Sequence, residues 1–319
     1  MSVPIRSIVL GVAALSGDDP SIGPSRTDPA LASAAALARS AGATLHVVHA
    51  YELPAPALAG LTLPLPADAR RRYAAAITER VRAQAAAWPG VDVRCHVVEG
   101  SPADAICDTA ARLHAGLVVV GATRRGRAWR GLVGSTAEGV VRAATVPVLV
   151  LHQPLALPIR RVLLATDLSD ESEALLERGV AAVGALAELQ PELRLLLVVA
   201  SDPLVPPPCE EALAMRGAAP AVRRMGGRIG AAVEPCVRGG EVSLEIAREA
   251  DEWKADVLVL GTHGRSGFRR LWLGGTAASA LRAAQCNVLM VPAASARPEN
   301  PALQDDAGYA VGEASALTG

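Results

Sequence analysis

Two tandem α/β domains, each an open parallel sheet with helices on both faces, are the fold that the sequence predicts, and three observations carry the prediction. Short unbroken runs of branched apolar residues, such as Leu117-Val-Val-Val120 and Val257-Leu-Val-Leu260, have the composition of parallel strands buried on both faces. These runs alternate with longer stretches of helical character, the order that builds a parallel sheet through right-handed crossovers. The third is a repeat: Gly100 and Gly240, Ile106 and Ile246, Gly121 and Gly261, and Gly134 and Gly274 are each 140 positions apart. A constant offset of this kind marks a tandem duplication.

The elements follow in chain order. Ser7-Ile-Val-Leu-Gly-Val-Ala13 opens the first copy and Arg161-Val-Leu-Leu-Ala-Thr-Asp167 the second, at an offset of 154. The first copy therefore carries 14 extra residues before Gly100, expected in the loop around Leu53 to Leu65. In the second copy the pattern predicts strands at 162–165, 193–200, 232–238, 257–260 and 288–291. Between them it predicts helices at 171–187, within 208–229, at 243–253 and at 277–284, the first opened by a capping box of Asp170 with Glu173. Residues 146–150 answer 287–291 as closing strands, and these are expected to pair about an internal pseudo-twofold axis, hiding each other's edges. The join Gln153-Pro-Leu-Ala-Leu-Pro158 is short and proline-bounded, which predicts packed rather than tethered halves. The expected domains are residues 1–153 and 159–293, with 294–319, rich in Ala, Pro, Asp, Glu and Gly, as a flexible tail.

Thirty-one basic against 32 acidic residues leave a net charge of −1, which offers no footprint for a nucleic-acid backbone or an anionic membrane. No apolar run reaches the roughly 18 residues of a membrane span. The opening Arg6 to Ala14 segment resembles a short signal-peptide core, but its alignment with residues 161–167 in mid-chain makes it a strand. A cytoplasmic location is expected. Cys95, Cys107, Cys209, Cys236 and Cys286 show no C-x-x-C spacing, and the six histidines show no H-E-x-x-H pairing. Neither a zinc site nor a disulfide framework is indicated. The cysteines read as small buried hydrophobes, and His46 and His49 as structural residues of a strand.

After the run ending at Leu260 come Gly261-Thr-His-Gly264, nine further residues, and then Gly274-Gly275-Thr276 leading into a helix. Glycines at this spacing let backbone amides approach phosphate oxygens, and the helix N-terminus that follows attracts an anion. His263 lies inside the loop, facing either a phosphate or solvent. The loop recurs in the first copy as Gly121-Ala-Thr-Arg124 and Gly134-Ser135-Thr136.

Val162-Leu-Leu-Ala-Thr-Asp-Leu-Ser169, Gly261-Thr-His-Gly-Arg-Ser-Gly267 and Leu273-Gly-Gly-Thr-Ala277 together resemble the universal stress protein family, over both copies from about Ile5 to Pro292. The resemblance implies a flavodoxin-like or Rossmann-like domain of the adenine nucleotide alpha hydrolase type and a cytoplasmic stress-response role. It also implies binding of ATP or AMP in some members, with Mg2+ able to accompany ATP, and dimerisation through the last strand. The family's nucleotide-binding pattern is G-x2-G-x9-G-[ST] with an aspartate ending the first strand. It falls on Gly261, Gly264 and Gly274, and on Asp167 as the acid that meets the adenine and ribose region. Ala165 and Thr166 stand beside that acid, and Val198 falls where members place an apolar contact to adenine. His263 and Arg265 belong to the loop, and Gly275 and Thr276 to the phosphate end. A carboxylate suits this place because it accepts hydrogen bonds from ribose hydroxyls or the adenine amine. Gly275 departs from the family's Ser or Thr, leaving a backbone amide and the hydroxyl of Thr276 one residue on.

The first copy departs further. Ala13 stands at the aspartate position and Arg124 at the second glycine, so this half is expected to be degenerate and nucleotide is expected at the second copy only. Arg124, Arg125 and Arg127 either grip an anion through their side chains or form a solvated basic loop. No G-x-x-x-x-G-K-[ST] and no G-x-S-x-G occur, and no acidic pair accompanies the loop, so slow or no hydrolysis is expected. The partners expected are an adenine nucleotide and the chain itself, as an internal pseudo-dimer or a homodimer. Nucleic acid and membrane are not expected.

Overall fold

Every apolar run singled out in the sequence becomes a strand of one sheet. The computed structural model describes residues 4–12, 29–51, 57–58, 61–62, 67–122, 133–186, 190–199, 207–229, 231–262 and 274–293. The first half runs β1 (Ser7–Val12), α1 (Pro29–Ala41), β2 (Thr44–Tyr51), a hairpin of β3 (Ala57–Leu58) and β4 (Leu61–Thr62), α2 (Ala67–Ala85), β5 (Val93–Glu99), α3 (Pro102–Arg112), β6 (Leu117–Gly121), α4 (Ser135–Ala143) and β7 (Val148–Leu151). The second runs β8 (Arg161–Thr166), α5 (Asp170–Leu186), β9 (Glu192–Val199), α6 (Pro207–Ile229), β10 (Val233–Gly239), α7 (Val242–Glu252), β11 (Val257–Gly261), α8 (Gly275–Ala283) and β12 (Asn287–Val291). The expected tail from residue 294 lies outside the described residues.

Ten strands are ordered β10-β9-β8-β11-β12-β7-β6-β1-β2-β5, and all neighbours are parallel except β12 with β7. Apolar side chains alternate between two layers, as buried parallel strands require. Ile8, Leu10, Val162 and Leu164 lie in the layer shared with Leu31 and Leu37 of α1 and Leu175 and Leu176 of α5. Val9, Val118, Leu163 and Leu258 lie in the other, with Val140 of α4, Ile246 of α7 and Leu281 of α8. Each layer contains residues from both halves, so the halves share their cores.

The duplication is copied down to the backbone. Just past the ends of α3 and α7, His114 (φ 47°) and Lys254 (φ 57°) are left-handed and 140 positions apart. In each case the next residue closes the same wide bond, Ala115 N to Ala110 O and Ala255 N to Ala250 O, both 2.9 Å. Gly100 and Gly240 turn the chain into these helices at φ 128° and 140°, angles that L side chains rarely adopt.

The closing strands pair as expected, with Val148, Leu149 and Val150 opposite Met290, Leu289 and Val288. In the flanking pairs Val118 meets Val148 and Leu258 meets Val288, so the offset of 140 holds through the closing strands. Matching residues 146–150 with 287–291 sets them one position out of register. The local twofold thus passes between Leu149 and its counterpart Leu289. On one side of the seam Arg282 of α8 donates to Glu138 of α4 at 2.8 Å, and on the other Ser40 Oγ of α1 donates to Leu186 O of α5 at 3.0 Å. Buried Asn287 accepts the His152 and Gln153 amides of the join through Oδ1, at 3.0 and 3.2 Å.

Two local expectations are corrected. The extra 14 residues are not all in the loop around Leu53 to Leu65. Paired starts Ser7/Thr44 and Arg161/Glu192 are 37 and 31 residues apart, and Leu45/Val93 and Leu193/Val233 are 48 and 40 apart, so six extra residues precede β2 and eight follow it. Nor do Asp170 and Glu173 form a capping box. Ser169 caps α5, its Oγ accepting Ser172 N at 3.2 Å, while buried Glu173 turns to α6 and takes Arg224 in a two-bonded ion pair. Propensity at a helix start yields here to a tertiary partner.

Candidate functional site

In each half the strand order reverses beside its first strand. Within the second half β9 and β10 lie on one side of β8, and β11 and β12 on the other. Helices reached from β8 and β11 therefore leave on opposite faces and open a crevice at the strands' carboxyl ends, the usual ligand position in such sheets. Thr166 ends β8, Asp167 follows it, Gly261 ends β11, and Gly274 caps α8. Four sequence-selected positions thus meet at one switch point, brought together by the adjacency of β8 and β11, whose registers match Val162 with Val257 and Val259 with Leu164.

Gly274 holds the start of α8 close to the strand end. Its amide donates to Thr262 O at 3.1 Å, and a Cβ there would stand 3.5 Å from the same oxygen. Thr262 N in turn donates to Val291 O at 3.0 Å, tying the loop's departure to β12. The helix then starts with Gly275 and Thr276, and the first-turn amides of Gly275, Thr276 and Ala277 have no acceptor within it. No described atom lies within 4 Å of where a Gly275 Cβ would stand, so no described neighbour demands glycine there.

On the other side of the crevice, Ala165 and Val198 are half-buried on the α7/α8 face of the sheet, lying against the same apolar layer. Thr166 projects the opposite way. Its Oγ1 accepts Leu168 N at 2.9 Å and lies 3.3 Å from Ser172 Oγ of α5. Asp167 Oδ1 accepts both Ser169 N at 3.0 Å and Ser169 Oγ at 2.6 Å. Leu168 between them is left-handed, φ 61°, an uncommon conformation for a branched side chain. This turn goes beyond the sequence expectations, although a Thr-Asp-x-Ser run ahead of a helix carries the hydroxyl and carboxylate signal of Asx and ST turns. His263, Gly264 and Arg265 lie outside the described residues, as do Ala13 and the Arg124, Arg125 and Arg127 group.

The first half repeats the scaffold. Gly134 caps α4 and its amide donates to Ala122 O at 2.6 Å, while Ala122 N donates to Leu151 O at 2.9 Å. Among the described residues no group of three or more His, Cys, Asp or Glu could hold a metal ion. No described helix is long and apolar enough to cross a membrane.

Residues 15–152 and 158–292 each match the universal stress protein family. A universal stress protein of Methanocaldococcus jannaschii is 31% identical over 141 residues, covering 41% of this chain and 81% of that protein. Another, from Thermus aquaticus, is 39% identical over 124 residues, covering 39% of this chain and 88% of that one. Among solved structures, a protein of Pseudomonas aeruginosa PAO1 described as functionally unknown superposes with a TM-score of 0.61 at 17% identity, over 91% of this chain and 93% of that one. A universal stress protein of Archaeoglobus fulgidus gives the same TM-score at 17% identity, over 89% and 98%. At these identities the structures share the fold with this chain.

Proposed function

The chain belongs to the universal stress protein family, and from that premise we propose that it is a stress-response regulator that binds one adenine nucleotide, ATP or AMP, at the switch point of its second half. The observation that carries this reading is the convergence of Asp167, Gly261 and the Gly274-capped α8 on the crevice between β8 and β11. First-turn amides with no acceptor within α8 and the positive end of the α8 dipole suit a phosphate group, and the half-buried Ala165 and Val198 offer apolar contact to a flat base. The residues present therefore fit a nucleotide. Asp167 would accept from the ribose or the adenine amine, and the Gly261 to Gly264 loop with His263 and Arg265 would wrap the phosphates, with Mg2+ accompanying ATP. Binding would alter the packing or partner surface of the tandem, with domains taken as residues 1–153 and 159–293. The nucleotide is read as a signal with slow or no turnover, because the loop sequence from Gly261 to Thr276 carries no acidic residue to prepare a water.

Titration calorimetry of the full chain with ATP and with AMP tests the proposal. One site per chain, weakened by Asp167→Ala and by Gly264→Arg but not by changes at Arg124, is the expected result. Two equivalent sites, or unchanged affinity in both second-half variants, would overturn it. Gly275, in place of a hydroxyl residue, favours a second reading, an interaction protein of the same fold that binds no nucleotide. A mass spectrum of ligand released from the purified protein separates the two.

A further inference from the structure

Asp167 does not stand alone at the strand end. Its Oδ1 takes two donors from one residue, the amide and the hydroxyl of Ser169, and the hydroxyl bond at 2.6 Å is short enough to be a strong charge-assisted one. The same Ser169 oxygen accepts Ser172 N from the first turn of α5 at 3.2 Å. Thr166 adds a second strap, with its Oγ1 bonded to Leu168 N and beside Ser172 Oγ. Two side chains thus hold two successive amides and keep Leu168 left-handed, so the carboxylate direction is set by the helix rather than by the strand alone. Behind it, Glu173 is clasped by Arg224, fixing the start of α5 against α6.

From this geometry we propose that Ser169 is a positioning residue for the nucleotide, aiming the Asp167 carboxylate into the crevice without itself touching ligand. The proposal rests on the nucleotide-binding reading of that site. The internal duplicate supports it independently. The β1 and β8 registers set Ile8 against Val162, and carrying that offset forward puts Val12, Ala13 and Leu15 where Thr166, Asp167 and Ser169 stand. The half that lacks the carboxylate also lacks both groups that aim it.

Ser169 also caps α5, so the test must separate cap from aim. Glycine is nearly as good a cap as serine but has no hydroxyl to give Asp167, whereas threonine keeps both roles. Calorimetric titration of the full chain with ATP and AMP should show Ser169→Gly and Ser169→Ala weakening affinity on the order of tenfold, with Ser169→Thr staying within about threefold of native. In an Asp167→Ala background, Ser169→Gly should change affinity by less than about twofold, since there is no carboxylate left to aim. Melting temperatures measured alongside give the cap contribution. Equal affinity in native and Ser169→Gly protein, or the same loss with and without Asp167, would overturn the positioning role while leaving the nucleotide site standing. No binding by the native chain would overturn both.

Discussion

The two halves keep one scaffold and fill it with different polar chemistry. Over β9 and β10 the second half sets an ion network around one buried carboxylate. Glu249 of α7, with only 3% of its side chain exposed, accepts Arg194 at 2.7 Å and Arg238 at 2.5 Å. Arg194 also reaches Glu234 at 2.7 Å and lies 4.5 Å over the Trp253 ring. At the equivalent place the first half has His46 on β2, with Nδ1 3.0 Å from His96 Nε2 on β5, and Thr109 where Glu249 stands. Charge in one half is replaced by a neutral imidazole pair in the other, with the strand registers unchanged. A duplicated fold therefore constrains the apolar layers tightly and the buried polar sites loosely, so long as each polar set satisfies itself.

The comparison is tested most severely by Glu249→Ala. Removing it leaves two arginines facing each other without their shared carboxylate, and a loss of about 3 kcal/mol is expected, against about 1 kcal/mol for Thr109→Ala in the first half. Urea midpoints at constant slope would measure both. A small loss at Glu249 would mean that Glu234 and Glu252 suffice, and that the halves differ less than their side chains do.

Next comes the seam. Asn287 holds the His152 and Gln153 amides of the join, whereas its counterpart in the first half is Pro147. Asn287→Ala is expected to cost about 2 kcal/mol, because it unsatisfies two backbone amides beside a buried strand pair. Denaturant unfolding should then lose cooperativity between the halves.

Acid should separate the halves by pH. Burial, reinforced by His96 and Arg94 and opposed by Asp92, holds His46 down to about 4 from 6.5, and burial with Arg112 and Arg94 lowers His96. The unfolded chain binds these protons first, so their contribution is complete above pH 6.5 and is lost as pH falls from there toward about 4. In the second half burial opposes ionisation of Glu249, but Arg194 and Arg238 outweigh it and lower the group from 4.5, so that contribution is lost only below pH 4.5. Hydrogen-exchange protection factors for β2 and β5 should fall between pH 6.5 and 4.5 while those of β9 and β10 hold. His46→Leu should flatten the first-half response.

The smallest effect sharpens the functional contrast. Gly275→Ser adds a hydroxyl where no described atom crowds it and replaces a helix-weakening glycine. Tighter ATP binding by about threefold to tenfold is expected, read by titration, with a melting temperature unchanged or slightly raised.

Much of this was legible in the sequence because it depends on local or periodic chemistry. Buried parallel strands must be continuous apolar runs, so β6 and β11 announced themselves, and the 140-residue offset brought out the duplication. The turn before α8 was readable because its glycines recur 140 residues apart, although the helix begins at Gly275, two residues ahead of the start the pattern predicts. The cap of α5 was not. Glu173 has the right spacing for a capping box, but burial against Arg224 from α6, 51 residues on, outweighs a local bond open to water. Likewise His46 in the sequence is one histidine among six, and only the packing of β2 on β5 supplies His96 as its partner. Alone, the sequence determined the strands, the repeat and the position of the glycine loop, since each follows from side-chain pattern along the chain. The tertiary structure decided which polar groups are buried together, how the closing strands register at Leu149 and Leu289, and which way Asp167 is held, because these depend on contacts between residues that the chain keeps apart.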